Sequence, residues 1–493
     1  MTTANRVLPD PRIFKILSPS DRAGVPANAL VPLLVGTVLA LLVYVLPLIA
    51  AHVLQHKLLY AETPDDSFYQ MRVLELARGG SLGNPYVPEH QAAPRYMPEM
   101  VERVLAVFSR ALHVEPLMLI AITRAVFPAC IFLLVFVLAR NLGWEALEAL
   151  LAGLLTVMAP SASLGGYALR YFRVISPAAY MVLVMLALLL VERVWSKQSW
   201  PITGLAAAGL GLLLYIPVYY WSFVFLGLGL LWLRSSGKPR WALAVCGLLG
   251  VGLGIPALLH STRISGDPVV RETLARLKLM IPGRALEPGV WPRLLLGLIL
   301  ISICFWFGKQ RHKWADFLLP FTVAATFMLV QNVVTNRQFQ AYHMVNCLVP
   351  LAALTIAGIF HALKPRVATL YVVIALVVAV GLAAQVSGYR AWSRNIRKNP
   401  AEYAVDTAFP RTLEWLKRAT PAGSVVVFPQ AMASSAPLFT HNRSYLGYYL
   451  FQYVMSTSEL IRRDQSRSAW SPGKTFPYRA DYVLGIGSQC QKW

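Results

Sequence analysis

Eleven apolar runs recur along this chain of 493 residues, near 30–54, 117–139, 146–160, 175–194, 202–215, 217–233, 241–259, 291–308, 315–334, 344–361 and 369–388. Each reads as a bilayer-spanning helix, or as a short, Pro-interrupted version of one. Inside a bilayer every backbone polar group must find a partner within the protein, so a chain with this many runs is expected to fold as a mainly α, polytopic transmembrane helical bundle. Composition agrees. The chain is 57% hydrophobic and 14% charged, against roughly 25% charged in soluble domains, which excludes a water-soluble protein.

Lys and Arg number 45 against 23 Asp and Glu, a formal net charge of +22. In a soluble chain that excess would suggest nucleic acid. Here it orients loops and meets anionic headgroups of the lipid bilayer, and no nucleic-acid partner is expected. Arg193 and Lys197; Arg234, Lys238 and Arg240; Lys309, Arg311 and Lys313; and Lys364 and Arg366 fall in alternate short connections. That side is expected to be cytoplasmic, together with a leader, residues 1–29, that carries Arg6, Arg12, Lys15 and Arg22.

The run 30–54 is too long for a signal-peptide core and reads as an uncleaved anchor. An odd number of spans then places the loops 55–116, 161–174, 260–290 and 335–343 and the tail outside, as in a bacterial inner-membrane protein with an extracytoplasmic C-terminal domain. The runs flanking Pro217 could also form a re-entrant or strongly kinked hairpin. Cys130, Cys246, Cys304 and Cys347 lie within apolar runs, without metal-ligand or disulfide spacing, and read as packing residues.

The expected division is the leader 1–29, a transmembrane domain 30–388 and a small α/β domain 389–493. In that last part Thr412–Arg418 reads as an amphipathic helix end, Thr420-Pro-Ala-Gly as a turn, and Ser424–Phe428 and Tyr482–Ile486 as strands.

The segment richest in chemistry is Glu62-Thr-Pro-Asp65-Asp66-Ser-Phe-Tyr69-Gln-Met-Arg72-Val-Leu-Glu75, just after the first span. Two acids ahead of an amphipathic helix bring a carboxylate to the membrane–water boundary, where desolvation or a cation can tune it. The bland alternative is that Asp65 or Asp66 only caps a helix running to about Arg78.

With Asn84-Pro85-Tyr86 farther on, the segment resembles the first outer loop of oligosaccharyltransferase catalytic subunits and their GT-C glycosyltransferase relatives. In that family an acid precedes an aromatic pair and then an Arg, a pattern matched by Asp66, Phe68, Tyr69 and Arg72. The resemblance implies that Asp66, with Asp65 beside it, positions or activates the acceptor. It also implies a divalent cation, Mg2+ or Mn2+, with Asp66 as its ligand. A second stretch, Leu413–Pro421 followed by Ser424-Val-Val-Val, resembles the opening of the outer domain in many GT-C enzymes.

Two departures stand out. The family's second acidic motif has no counterpart in Gly165–Pro177, and its Trp-Trp-Asp-Tyr-Gly motif is replaced by Val427-Phe-Pro-Gln-Ala-Met-Ala. Transfer to Asn sequons is therefore not expected.

Arg170, Arg173, Arg263, Arg271, Arg276, Arg284, Arg337 and His343 lie in the expected outer loops. Guanidinium groups grip phosphate through paired hydrogen bonds, so Arg170, Arg173, Arg263, Arg337 and His343, with Tyr69 and Arg72, are candidate substrate-binding residues. Snorkelling to headgroups is the alternative for each. Arg271 and Arg276 fall on an expected interfacial helix, 268–280. These features suggest a membrane glycosyltransferase that takes a sugar from a polyprenyl-phosphate or -pyrophosphate carrier to an outer acceptor of unknown kind. A lipid-linked-sugar flippase or other secondary transporter, or a surface-glycan polymerase or ligase, is the alternative.

Overall fold

The computed structural model describes residues 27–492 apart from 56–63, 81–83, 85–86, 91–92, 94–97, 161–168, 278, 280–281, 287–288, 338–340, 399–404, 430–431, 434, 447–453, 469–474 and 485–489. Most of the leader, residues 85–86 and the side chain of Asp65 lie outside the described residues. In chain order the helices are α1 (Ala27–Gln55), α2 (Pro64–Ala77), α3 (Met100–Leu112), α4 (Pro116–Asn141), α5 (Ala146–Val157), α6 (Tyr180–Lys197), α7 (Trp200–Leu213) and α8 (Val218–Arg234). They continue with α9 (Gly237–Ser265), α10 (Pro268–Arg276), α11 (Val290–Lys309), α12 (Lys313–Thr335), α13 (Val345–Leu363), α14 (Val367–Lys398), α15 (Pro410–Ala419) and α16 (Thr457–Ser468).

Among the described residues eight helices are long and apolar enough to cross a membrane, and α5, α7 and α8 are shorter apolar helices. All eleven apolar runs are therefore helical, and the protein is a multi-pass membrane protein. Local signals set the starts: Glu115 accepts the Met118 amide ahead of Pro116, and Glu145 and Glu148 form a reciprocal capping box at α5.

The short helices shape the bundle. At 1.5 Å per residue the 12 residues of α5 and 14 of α7 reach about 18 and about 21 Å, short of a hydrocarbon core of about 30 Å. Both begin at one end of the bundle and stop short of the other. Chain 169–173 folds back over α5, with Leu169 bridged to Pro160 and the Arg170 amide donating to the Ala159 carbonyl at 3.1 Å. A π-helical turn, Val174–Ala179, then leads into α6. The runs flanking Pro217 form two helices, α7 and α8, and Tyr219 and Tyr220 just after their junction meet His343 and Asn346.

The two ends differ in chemistry. One gathers the basic connections, with Lys313 on Glu192 at 3.2 Å, Arg234 on Asp316 at 3.0 Å and His361 on Glu148 at 3.4 Å. The other gathers α2, α3 and the C-terminal domain.

That domain holds a four-stranded sheet in the order β2 (Arg443–Ser444), β1 (Val425–Val427), β3 (Tyr482–Leu484), β4 (Cys490–Lys492). β1 pairs parallel to β2 and β3, and β3 pairs antiparallel to β4. Alternation along β1 sorts its side chains. Val425 and Val427 pack with Phe68, Met71 and Leu74 of α2, while Val426 and Phe428 pack with Leu413 and Leu416 of α15. One face of α2 is thus core of the C-terminal domain, which fixes the helix over the bundle.

Candidate active site

Because α2 begins at Pro64, Asp65 and Asp66 stand within its first turn instead of ahead of it, where the helix dipole favours acids. Helical spacing then gives α2 two jobs. Phe68 and Met71 face the sheet, while Asp66, Gln70 and Val73, on an i, i+4, i+7 stripe, turn toward the bundle.

Asp66 is buried, and its Oδ2 lies 3.9 Å from Nη2 of Arg124 on α4. Arg124 is 0% exposed, and its guanidinium lies over the Phe172 ring at 5.3 Å. Asp66, Tyr69, Gln70, Arg173, Ile175 and Ser176 line a cavity of about 10 Å³, room for about one water. Both polar atoms of the Gln70 amide are buried there without a hydrogen-bond partner among the described residues.

Beyond the cavity lies a basic, aromatic cradle. Arg170 donates to Asn346 Oδ1 at 3.4 Å, Asn346 donates to the Tyr220 hydroxyl at 3.2 Å, and the Tyr171 hydroxyl donates to the Asn346 carbonyl at 2.9 Å. His343 stacks on Tyr219, 4.4 Å between centroids and 7° from parallel. Burial and the nearby charge of Arg173 push its imidazole down to about 3, so it is neutral at physiological pH. Arg170 is lowered too, by burial first and with Arg293 of α11 adding like-charge repulsion. These positive charges are held close together, as in an anion site.

The structure brings Asp66, Tyr69, Arg170, Arg173 and His343 to one region and puts the other candidates elsewhere. Arg72 turns to Glu102 of α3, with Nε 2.8 Å from Oε1, and donates to the Pro98 carbonyl at 3.2 Å. Arg263 and Arg337 are exposed, Arg337 being bridged through its backbone to Pro282. Arg271 and Arg284 are exposed, and Arg276 donates to Thr457 Oγ1 at 2.9 Å. The interfacial helix ends at Arg276. Sequence reading passed over Arg124, Gln70, Ser176, Arg293 and Asn346. Arg124 is fully buried within the second apolar run.

A solved structure of the Archaeoglobus fulgidus oligosaccharyltransferase in the apo form superposes with a TM-score of 0.52 at 11% identity. The chain shares its fold with that oligosaccharyltransferase. The likeness covers 86% of this chain and 65% of the other, so this chain spans just under two thirds of the oligosaccharyltransferase's length. No protein-family model and no curated protein matches the sequence.

The divalent cation that the sequence resemblance to oligosaccharyltransferases implies can be tested against the donors around Asp66. Among the described residues no group of three or more His, Cys, Asp or Glu side chains converges. The described part of the α5–α6 connection offers Phe172 under Arg124, and Arg173 in the cavity. Among the described side chains one carboxylate faces two guanidiniums, a set that does not fit a divalent cation.

Proposed function

We propose that this chain is an integral-membrane glycosyltransferase that moves a sugar from a polyprenyl-phosphate or polyprenyl-pyrophosphate carrier to an acceptor on the extracytoplasmic side. The observation that carries the proposal is that a buried carboxylate, Asp66, shares a cavity with Arg173, which adjoins His343, with Arg170 on the neighbouring Asn346–Tyr220 cluster. The fold shared with an oligosaccharyltransferase supports it.

In this reading Asp66 accepts or orients the proton of the acceptor nucleophile as it bonds to the anomeric carbon. The bond from that carbon to the carrier phosphate breaks, and the phosphate leaves with the electron pair. Arg170 and Arg173 offset the charge that develops there. Described buried charges sort to the two ends of the bundle, with no chain of ionisable residues linking them among the described residues, which favours transfer over translocation.

The test is release of free carrier phosphate from a synthetic polyprenyl-phosphate sugar, offered with a panel of lipid, glycan and peptide acceptors to purified protein. Asp66→Asn should still fold and insert, at a lower thermal midpoint, yet lose on the order of 10²–10⁴-fold in rate, the usual worth of a positioned acid–base group. Wild-type release by that variant would remove Asp66 from the reaction.

A further inference from the structure

We infer that Arg124 supplies, from inside the bundle, the positive charge that sequence likeness would assign to a divalent cation, so that Asp66 works in a metal-independent site. The inference rests on the role given to Asp66 above and deepens it.

A charge on a membrane helix is costly and needs a reason to be there. Arg124 sits in the outward third of α4, fully buried, with its Nη2 3.9 Å from Asp66 Oδ2. Phe172 lies under its guanidinium at 5.3 Å, an arrangement that holds a planar cation in place. Phe172 belongs to the second outer loop, where a metal-binding relative would carry another acid and this chain has none.

Charge arithmetic points the same way. Among the described side chains that meet at Asp66, the carboxylate contributes one negative charge, and Arg124 and Arg173 one positive charge each, for a balance of +1. Adding a doubly charged ion to that balance in a low-dielectric cavity is repulsive, and a cation of this kind needs several oxygen ligands. An arginine does part of a metal's work: it holds the carboxylate in one orientation and keeps positive charge beside the reacting groups without exchanging with solvent. Gln70, whose amide is buried in the same cavity without a partner among the described residues, marks the cavity as a place where a polar group of the substrate completes the hydrogen bonding. Arg124 is a positioning residue in this scheme, acting through Asp66.

The experiment uses full-length protein in lipid nanodiscs, as wild type, Asp66→Asn, Arg124→Gln, Arg124→Lys and the Asp66→Asn/Arg124→Gln double variant. Mn2+ titration followed by electron paramagnetic resonance should reveal no saturable site in wild type that Asp66→Asn removes; such a site would overturn the inference. Thermal midpoints should fall less in the double variant than the two single shifts sum to, because the pair is coupled, and additive shifts would overturn it. Neither readout needs turnover, so both stay decisive if the transfer reading fails. In transfer assays with EDTA present, Arg124→Lys should keep most of the wild-type rate while Arg124→Gln loses about 10²-fold or more. Equal rates for the glutamine variant and wild type would also overturn it.

Discussion

Arg72 follows Asp66 by six residues on the same helix, and six steps of 100° carry a side chain roughly 120° around from where it started. The match to the family's motif is thus real in sequence, but in space Arg72 leaves the face of α2 that carries Asp66. Its guanidinium is buried against Glu102, whose carboxyl burial pushes up and Arg72 pulls down, and it lies 5.4 Å from the Phe68 ring. Removing one partner of a buried pair strands the other charge, at a cost of about 3–5 kcal/mol. Arg72→Met should therefore lower the thermal midpoint sharply, and Arg72→Met/Glu102→Leu should recover most of the loss. A single variant as stable as wild type would show that the pair does no structural work. Asp66 and Tyr69 were legible in the sequence because the acid-and-aromatic pattern is local. Arg124 was not, since one Arg in a long apolar run has no periodic signature and its partner lies 58 positions earlier in the chain. Gln70 was hidden for a different reason: a polar residue on an amphipathic helix reads as solvent-facing until the bundle is seen to cover it.

At the scale of elements the apolar runs translate directly. The run 315–334 is α12, Lys313–Thr335, and 344–361 is α13, Val345–Leu363, because bilayer length and hydropathy act over a whole turn-by-turn stretch. Strands β1 and β3 were visible as apolar runs beside turn residues. β2 is Arg-Ser and β4 Cys-Gln-Lys, neither of them an apolar run, and their place in the sheet comes from pairing alone. Close helix packing was equally invisible to hydropathy. Gly250 and Gly254 of α9, four residues apart, face α7, where a Cβ at Gly250 would come within 2.7 Å of Leu210 Cβ and one at Gly254 within 2.8 Å of Leu214 Cβ. Small residues at this spacing let membrane helices approach closely. Gly254→Leu should push α7 and α9 apart and lower the thermal midpoint in detergent, whereas Gly252→Leu, on a face with nothing within 4 Å, should leave it near the wild-type value. Equal shifts for the two would show that the α7–α9 contact does not need its glycines.

For the whole molecule the decisive quantity is the side of the membrane on which each end of the bundle lies. The geometry supplies half of the argument: α2, the Arg170 and Arg173 segment, His343 and the C-terminal sheet meet at one end, and the Lys- and Arg-rich connections at the other. α14 has 32 residues, about 48 Å of helix, enough to cross and then carry the chain well clear of the bilayer toward the sheet. The charge rule supplies the other half, since basic connections stay in the cytoplasm. Side-reporting fusions after Pro239, between α8 and the body of α9, and after Arg397, at the far end of α14, should therefore give opposite signals, cytoplasmic at the first and extracytoplasmic at the second. This outcome places Asp66 on the extracytoplasmic side. A lipid carrier delivers a sugar there, whereas nucleotide-activated sugars remain on the cytoplasmic face. Signals from the same side would break the alternation of the eleven apolar helices. A reversed pair would leave the bundle intact but turn its Asp66 end to the cytoplasm, where a soluble nucleotide-sugar donor becomes the reading to test.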